Sequence, residues 1–108
     1  MNRKDAYFAR YEAIADVSGR MLVAARDASW HALSGLQDEY LRLVDGLREA
    51  EQGVLLDDAE RTRKFELIRR ILADDAAIRD LASPEVARLS AFIHAGRSTL
   101  KDLYRARG

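Results

Sequence analysis

The stretch "FELIRRILADDAAIRDLASPEVARLSAFI", residues 65–93, decides the fold, because its apolar residues keep one phase along its whole length. The apolar residues here and in the tail form series separated by multiples of seven: Phe65, Leu72, Val86, Ile93 and Leu100; Ile68, Ala82 and Leu89; Ile71, Ile78 and Phe92. A sustained pattern of this kind is typical of a long amphipathic helix. The pair Asp57 and Glu60 has the spacing of a capping box at its start. We therefore predict one helix over about 58–95.

Ser83-Pro84-Glu85 lies inside this stretch and has the signature of a new helix start, with serine as the N-cap and proline at the first helical position. A true break would normally change the phase of the apolar series, and here the phase continues across it. We therefore predict that the helix is kinked near Pro84 rather than ended there.

The residues before this stretch predict a helical hairpin. The first helix covers roughly 5–26, and one of its faces is small or apolar: Tyr7, Tyr11, Ile14, Ser18, Met21 and Ala25. The second runs from about Trp30 to Ala50, with Leu33, Leu36, Tyr40, Leu43 and Leu47 at steps of three and four and Val44 beside them. We interpret Gly35 and Gly46 within it as tolerated, or as allowing another backbone to come close, rather than as a hinge.

The composition is that of a single helical domain over 1–108. The chain has no cysteine and one proline, and its 18 basic and 18 acidic side chains cancel. The formal net charge is therefore zero, and no long-range electrostatic attraction draws the chain to nucleic acid or to a membrane surface. Without cysteine it has no disulfide and no thiolate metal site. The N-terminal residues lack the apolar segment of a signal peptide, so we expect a cytoplasmic protein without membrane insertion. We predict an all-α antiparallel bundle of three main helices, the third long, plus a short C-terminal helix.

No constellation of catalytic or metal-binding residues is visible. His31 and His94 are far apart, and neither belongs to a Glu-x-x-His or His-x-x-x-His pattern. A glycine-rich phosphate loop is also missing. We expect no enzyme activity, no catalytic residues, no cofactor and no metal.

Basic residues are concentrated in "ERTRKFELIRR", residues 60–70, and could form a phosphate-contacting patch. Acidic residues interleave with them, so we interpret the cluster, Lys64 included, as a solvated, salt-bridged face and expect no direct nucleic-acid partner. Asp75 interrupts the series that contains Ile68. Either the apolar stripe drifts and Asp75 rotates toward water, which we favour, or a polar position fixes the register or meets a partner's cation.

The predicted helix lengths leave apolar surface uncovered. At 1.5 Å per residue, the first two helices are each about 30–35 Å long and the third about 55 Å, so about 20 Å of the third overhangs. Exposed apolar surface on that scale usually marks an interaction site. It would be covered by a partner, by a second copy of the chain, or by the tail.

The tail "HAGRSTLKDLYRARG", residues 94–108, carries a small apolar stripe made of Leu100, Leu103 and Tyr104. The helix that follows Gly96 would have only about eight residues, and isolated helices shorter than about 12–15 are marginal in water. We therefore expect the tail to be helical only when docked, and to fold back on the apolar surface of the third helix.

The sequence resembles the FliT family of flagellar export chaperones. The strongest part is "YEAIADVSGRMLVAARDASWHALSGLQDEYLRLVDGLRE", residues 11–49, which looks like the first hairpin of that family. Residues 71–93 are similar to its third helix, including a paired acid or amide element where Asp74 and Asp75 stand.

The resemblance implies a small cytoplasmic chaperone for the protein that caps the flagellar filament. It would bind the C-terminal segment of the cap protein, prevent premature assembly, and deliver it to the type III export ATPase and export gate. Some members also inhibit the flagellar master transcription activator. In that family a C-terminal helix can fold back over the binding surface, which makes residues 97–108 a candidate regulatory tail. The alternative is a dimerising helical interaction protein, or a transcription antagonist without secretion cargo. The sequence is compatible with a homodimer in either case.

A chaperone for an amphipathic helix needs an apolar groove flanked by charges. We assign this predicted groove to ten apolar positions: Val44, Leu47, Ile68, Leu72, Ile78, Leu81, Val86, Leu89, Phe92 and Ile93.

Overall fold

The computed structural model describes residues 3–81 and 99–105, and within them every regular element is a helix. The main elements are α1 (Arg3–Arg26), α2 (Trp30–Asp45), α3 (Leu47–Glu51) and α4 (Asp58–Asp80). Residues 99–105 form a further helical segment, called the tail helix below. The all-α prediction is confirmed for the described residues.

α1 is the central helix, because it packs against both α2 and α4. The face predicted for it is confirmed as buried: Tyr7, Tyr11, Ile14, Ser18, Met21 and Ala25. Phe8, Ala15, Val17 and Leu22 are buried as well. Burial over more than one stripe is expected of a helix that lies between two neighbours.

Cross-helix contacts define the directions of the helices. Lys4 Nζ lies 2.9 Å from Glu60 Oε1 near the start of α1 and α4. Ser18 Oγ donates to Asp74 Oδ2 at 2.8 Å further along both helices. α1 and α4 are therefore parallel, while α2, whose last turn is bonded to the first half of α1, returns antiparallel after a short turn at residues 27–29. The described helices thus run up, down and up.

Gly46 ends α2 earlier than predicted, and the short helix α3 follows it directly. The Arg10 guanidinium lies against this glycine, since a Cβ added there would be 2.5 Å from Arg10 Nη1. Arg10 Nη1 also donates to the Leu43 carbonyl at 3.3 Å. The group that approaches Gly46 closely is therefore a side chain, rather than the backbone that was one of the two interpretations of this glycine.

α4 ends at Asp80, so the prediction of one continuous helix over about 58–95 is wrong at this point. The Leu81 amide donates to the Ile78 carbonyl at 3.1 Å, the tighter bond that often closes a last helical turn. α4 has 23 residues and α1 has 24, so α4 does not overhang α1 by length. Heptad phase reports which residues face the core, and it can persist across a break. The predicted kink at Pro84 lies outside the described residues.

The predicted capping box at the start of α4 is confirmed. The Glu60 amide donates to Asp57 Oδ1 at 2.8 Å, and the Asp57 amide donates to Glu60 Oε1 at 3.0 Å. The hydrogen bond from the Asp57 backbone and the neighbouring Lys4 ammonium hold the pKa of Glu60 below its usual range. The start of α4 is therefore tied both to its own N-cap and to α1.

Replacing this N-cap should destabilise the fold at one defined position. We expect Asp57→Ala to lower the free energy of unfolding by about 1 kcal/mol, because one helix N–H loses its acceptor. Urea denaturation followed by circular dichroism measures this change. Asp58→Ala is the matched control, since its ion pair with Arg61 is exposed, and it should cost less than half as much. Equal losses in the two variants would contradict the capping role.

Candidate functional site

The buried face of α4 combines three isoleucines with two charged residues. Its members follow steps of four and three: Lys64, Ile68, Ile71, Asp75 and Ile78. Two of the predicted apolar series, those of Ile68 and Ile71, therefore form one face. Phe65 and Leu72 flank it and are half-buried.

Lys64 is fully buried, and its ammonium is paired with Glu51 at the end of α3. Lys64 Nζ lies 3.3 Å from Glu51 Oε2. The other oxygen, Glu51 Oε1, accepts hydrogen bonds from the Tyr7 hydroxyl at 2.7 Å and the Tyr11 hydroxyl at 2.6 Å. An ion in the interior is tolerated only when it is paired and its oxygens are hydrogen-bonded, which is the arrangement here. We call these four residues the Glu51 network.

The two tyrosines of the network stay protonated over the ordinary pH range. Burial raises the pKa of Tyr7 and of Tyr11 well above the usual range, and the hydrogen bonds to Glu51 raise both further. Both hydroxyls are therefore donors to the same carboxylate. They join α1 to α3, and Lys64 joins α4 to them.

Sequence reasoning missed this network because it placed Lys64 on the solvated face. The signal that could have located it is spacing, since Lys64 lies four residues before Ile68 and seven before Ile71. The salt-bridged interpretation is confirmed for Arg61, which pairs with Asp58, and for Arg63, which pairs with Glu12.

Asp75 is only 3% exposed, so the favoured interpretation that it rotates toward water is wrong. Steps of four and three keep position 75 on the same face as Ile71 and Ile78. Its Oδ2 lies 3.4 Å from Nε of Arg79, one turn later on α4. The neighbouring Asp74 instead accepts the hydrogen bond from Ser18.

The tail helix lies against α3 and α4. Leu100 is fully buried and Leu103 is 6% exposed. The Tyr104 ring packs on Phe65, with ring centroids 4.7 Å apart, and Arg69 Nη1 lies 3.4 Å from the Tyr104 hydroxyl. The tail helix therefore covers the part of α4 around Phe65.

Apolar burial provides most of the energy that holds the tail helix. Fully burying a leucine side chain contributes about 1.5–3 kcal/mol. The ion pair between Arg48 and Asp102, at 3.2 Å, joins side chains that are both more than half exposed. Such pairs contribute about 0–1 kcal/mol. Leu100 and Leu103 therefore matter more than the charges.

Four of the six described positions of the predicted groove lie inside the bundle. These four are buried in the same apolar cluster as Leu100 and Leu103: Val44, Leu47, Ile68 and Ile78. Leu72 is half-buried, and Leu81 is 38% exposed. The remaining four lie outside the described residues: Val86, Leu89, Phe92 and Ile93. A partner helix could reach the buried positions only after the tail helix leaves or the bundle opens.

The structure brings no ligand-binding histidines together in the described ranges. His31 is exposed on α2, and His94 lies outside those ranges. Residues 3–81 and 99–105 contain no group of three or more histidine or acidic residues placed to hold a metal ion. Within the same ranges, no helix is long and apolar enough to cross a membrane.

Removing one partner of the Glu51 network should cost more than an ordinary surface change. We expect Glu51→Ala to lower the free energy of unfolding by about 3–5 kcal/mol, because the Lys64 ammonium is left buried without its carboxylate. Adding Lys64→Met to that variant should recover part of the loss. Urea denaturation measures the free energy of unfolding of Glu51→Ala, of Lys64→Met and of the double variant. The exposed Glu49→Ala on the same helix is the control. A double variant as unstable as the sum of the single variants would contradict the coupling.

The raised tyrosine pKa values predict an alkaline loss of stability. A tyrosine whose pKa is raised by folding holds its proton in the folded state after the unfolded chain has released it. Its contribution is therefore complete below pH of about 10 and falls as the pH rises beyond it. We expect Tyr11→Phe to flatten this fall in urea denaturation series between pH 8 and 11. An unchanged slope in Tyr11→Phe would contradict the assignment, and Tyr104→Phe, outside the network, is the control.

The sequence and the fold both match one family of known proteins. Residues 8–105 match the family described as "Flagellar protein FliT". The fold is similar to the crystal structure of flagellar protein FliT from Bordetella bronchiseptica, with 47% identity and a TM-score of 0.68, over 79% of this chain and 96% of that chain. A comparison with curated proteins found no match. Because the family match spans most of the sequence, the chain belongs to the FliT family of flagellar proteins.

Proposed function

We propose that this protein is a cytoplasmic type III export chaperone of the flagellum. In this proposal it binds the C-terminal segment of the filament-cap protein and prevents premature assembly. Membership of the FliT family supports a flagellar role. The observation that carries the more specific proposal is the tail helix, whose buried leucines share one apolar cluster with positions of the predicted groove.

The tail helix has the properties of a displaceable cover. Its described part has seven residues, 99–105, which is far below the length at which an isolated helix is stable. It is held mainly by Leu100, Leu103 and the Tyr104 ring. A partner helix with a longer apolar face could replace these contacts in the helix-in-groove mode.

Tethering makes even a weak cover effective. A segment joined to its own binding site acts at an effective concentration of the order of millimolar, so the partner competes with an internal ligand at that concentration. The apparent affinity for the partner is then the intrinsic affinity multiplied by the fraction of molecules in which the tail helix is released. The regulatory role proposed for residues 97–108 follows from this competition.

The later steps of the proposed pathway rest on the family resemblance. They are delivery of the cap protein to the export ATPase and export gate, and inhibition of the flagellar master transcription activator. In the proposal these partners use surfaces that differ between the states with a docked and a released tail helix.

The test is direct binding of the purified filament-cap protein, measured by isothermal titration with variants of the tail. We expect truncation after Gly96 to raise the affinity about tenfold, because the competing internal contact is removed. The triple change Leu100→Ala, Leu103→Ala and Tyr104→Ala should have the same effect. Lys101→Ala is the matched control, since Lys101 is exposed on the same helix, and it should leave the affinity unchanged. Circular dichroism confirms that each variant is folded.

A cross-link gives the opposite test without removing any apolar residue. The chain has no cysteine, so Arg48→Cys and Asp102→Cys can be joined by a short bismaleimide to hold the tail helix in place. Cross-linking should weaken binding of the cap protein. Unchanged or weaker binding of the cap protein by the truncated, folded protein would contradict the proposal that the tail helix covers the binding surface. If no variant binds the cap protein, the proposal that the cap protein is the cargo is refuted. A tight dimer that binds no cargo would favour the alternative of a dimerising interaction protein.

A further inference from the structure

A cleft of about 330 Å³ lies where α1 meets the junction of α2 and α3. It is lined by two arginines of α1 and by residues around the glycine that separates α2 from α3: Arg3, Ala6, Tyr7, Arg10, Gly46, Glu49 and Ala50. Among the described residues, neither the tail helix nor any position of the predicted groove contributes to this lining. The cleft is therefore a second surface, separate from the one discussed above.

The two arginines of the cleft are bonded to carbonyl oxygens rather than to carboxylates. Arg10 Nη1 donates to the Leu43 carbonyl, and Arg3 Nη2 donates to the Gln52 carbonyl. In the part of the chain that the structure describes, neither guanidinium lies within 4.0 Å of a carboxylate oxygen. Five other arginines do have such a partner: Arg20, Arg48, Arg61, Arg63 and Arg79. Because a guanidinium has five N–H donors, one carbonyl bond leaves most of them available.

Two glycines make room for these guanidinium groups. A Cβ at Gly46 would lie 2.5 Å from Arg10 Nη1, and a Cβ at Gly53 would lie 3.3 Å from Arg3 Nη1. Gly53 also has a φ of +73°, which favours glycine. The carbonyl bonds and the glycines together hold both groups in position before a ligand arrives, which lowers the entropy lost on binding.

The charge of the cleft selects an anion. Among the described residues, its lining contains two guanidinium groups and one carboxylate, that of Glu49. The nearby Glu51 is occupied by its own partners, Tyr7, Tyr11 and Lys64, so it does not neutralise the arginines. Guanidinium groups match carboxylates with two parallel hydrogen bonds, which gives both strength and geometry.

We propose that this cleft binds carboxylate side chains of an acidic segment of a partner protein, with Arg3 and Arg10 as the binding residues. The volume exceeds that needed by one small anion, and Ala6 and Ala50 offer apolar surface for the stems of glutamate side chains. The inference does not depend on the chaperone role, because the cleft is separate from the tail helix.

The experiment uses the full chain and NMR titration of ¹⁵N-labelled protein. The probes are a capped hexaglutamate peptide, the matching hexaglutamine peptide, and inorganic phosphate. We expect hexaglutamate to cause saturable shifts at the amides of Gly46, Glu49 and Ala50, and hexaglutamine to cause none. Phosphate binding as tight as that of hexaglutamate would overturn the peptide proposal in favour of a small-anion site.

Variants assign the effect to the two arginines. Arg3→Gln with Arg10→Gln should weaken hexaglutamate binding about tenfold or more, because two charge-assisted contacts are lost. Arg26→Gln, at the opposite end of α1, should change it less than twofold. Glu49→Gln should strengthen binding, since it removes the one carboxylate of the lining.

Gly46→Ala gives a second test that keeps every charge. Its Cβ would displace the Arg10 guanidinium, so it should weaken hexaglutamate binding although the net charge is unchanged. Circular dichroism melting shows whether each variant is folded. Binding that survives in both the arginine variant and Gly46→Ala, or shifts spread evenly over all exposed arginines, would overturn the proposal.

Discussion

The ion pair between Lys64 and Glu51 is the interaction on which one end of the bundle depends, the end where α1 and α4 begin. It joins α4 to the end of α3, and the hydroxyl groups of Tyr7 and Tyr11 join α1 to the same carboxylate. A charge removed from water costs several kcal/mol unless it is paired with good geometry. Three helices must therefore keep one relative position to satisfy one carboxylate. That position also places Arg48 of α3 beside the tail helix.

The consequence for function is that the Glu51 network and the tail helix, which belong to the same core, differ in how much free energy it costs to open them. The contacts around Glu51 are buried, charged and shared by three helices, so they resist local opening. The tail helix adds two leucines and one ring to this core, with exposed charges around them. Segments that open at low cost are those with few buried apolar contacts. A partner that competes for this apolar surface would therefore displace the tail helix at a lower free-energy cost than the contacts around Glu51.

Much of the fold could be predicted because local patterns and tertiary contacts agree. The face of α1 and the capping box of α4 are both found as expected. Apart from the ends of α2 and α4, the errors concern charged residues on apolar faces. Lys64 and Asp75 were assigned to water because charge normally prefers it, yet both lie inside with a partner from α3 or from α4 itself. The pair of Asp75 and Arg79 has a spacing of four that the sequence shows. For Lys64 the sequence shows only that a charge falls on a buried stripe, not that Glu51 of another helix lies there to pair with it.

The sequence by itself determined the helical class, the buried face of α1 and the start of α4. These follow from periodicity and caps, both of which act over a few neighbouring residues. Only the tertiary structure decided where α2 and α4 end, which charges are buried, and that the tail leucines join the cluster of Val44 and Leu47. Those outcomes depend on residues distant in sequence coming together, as when the Arg10 guanidinium occupies the space that Gly46 leaves open.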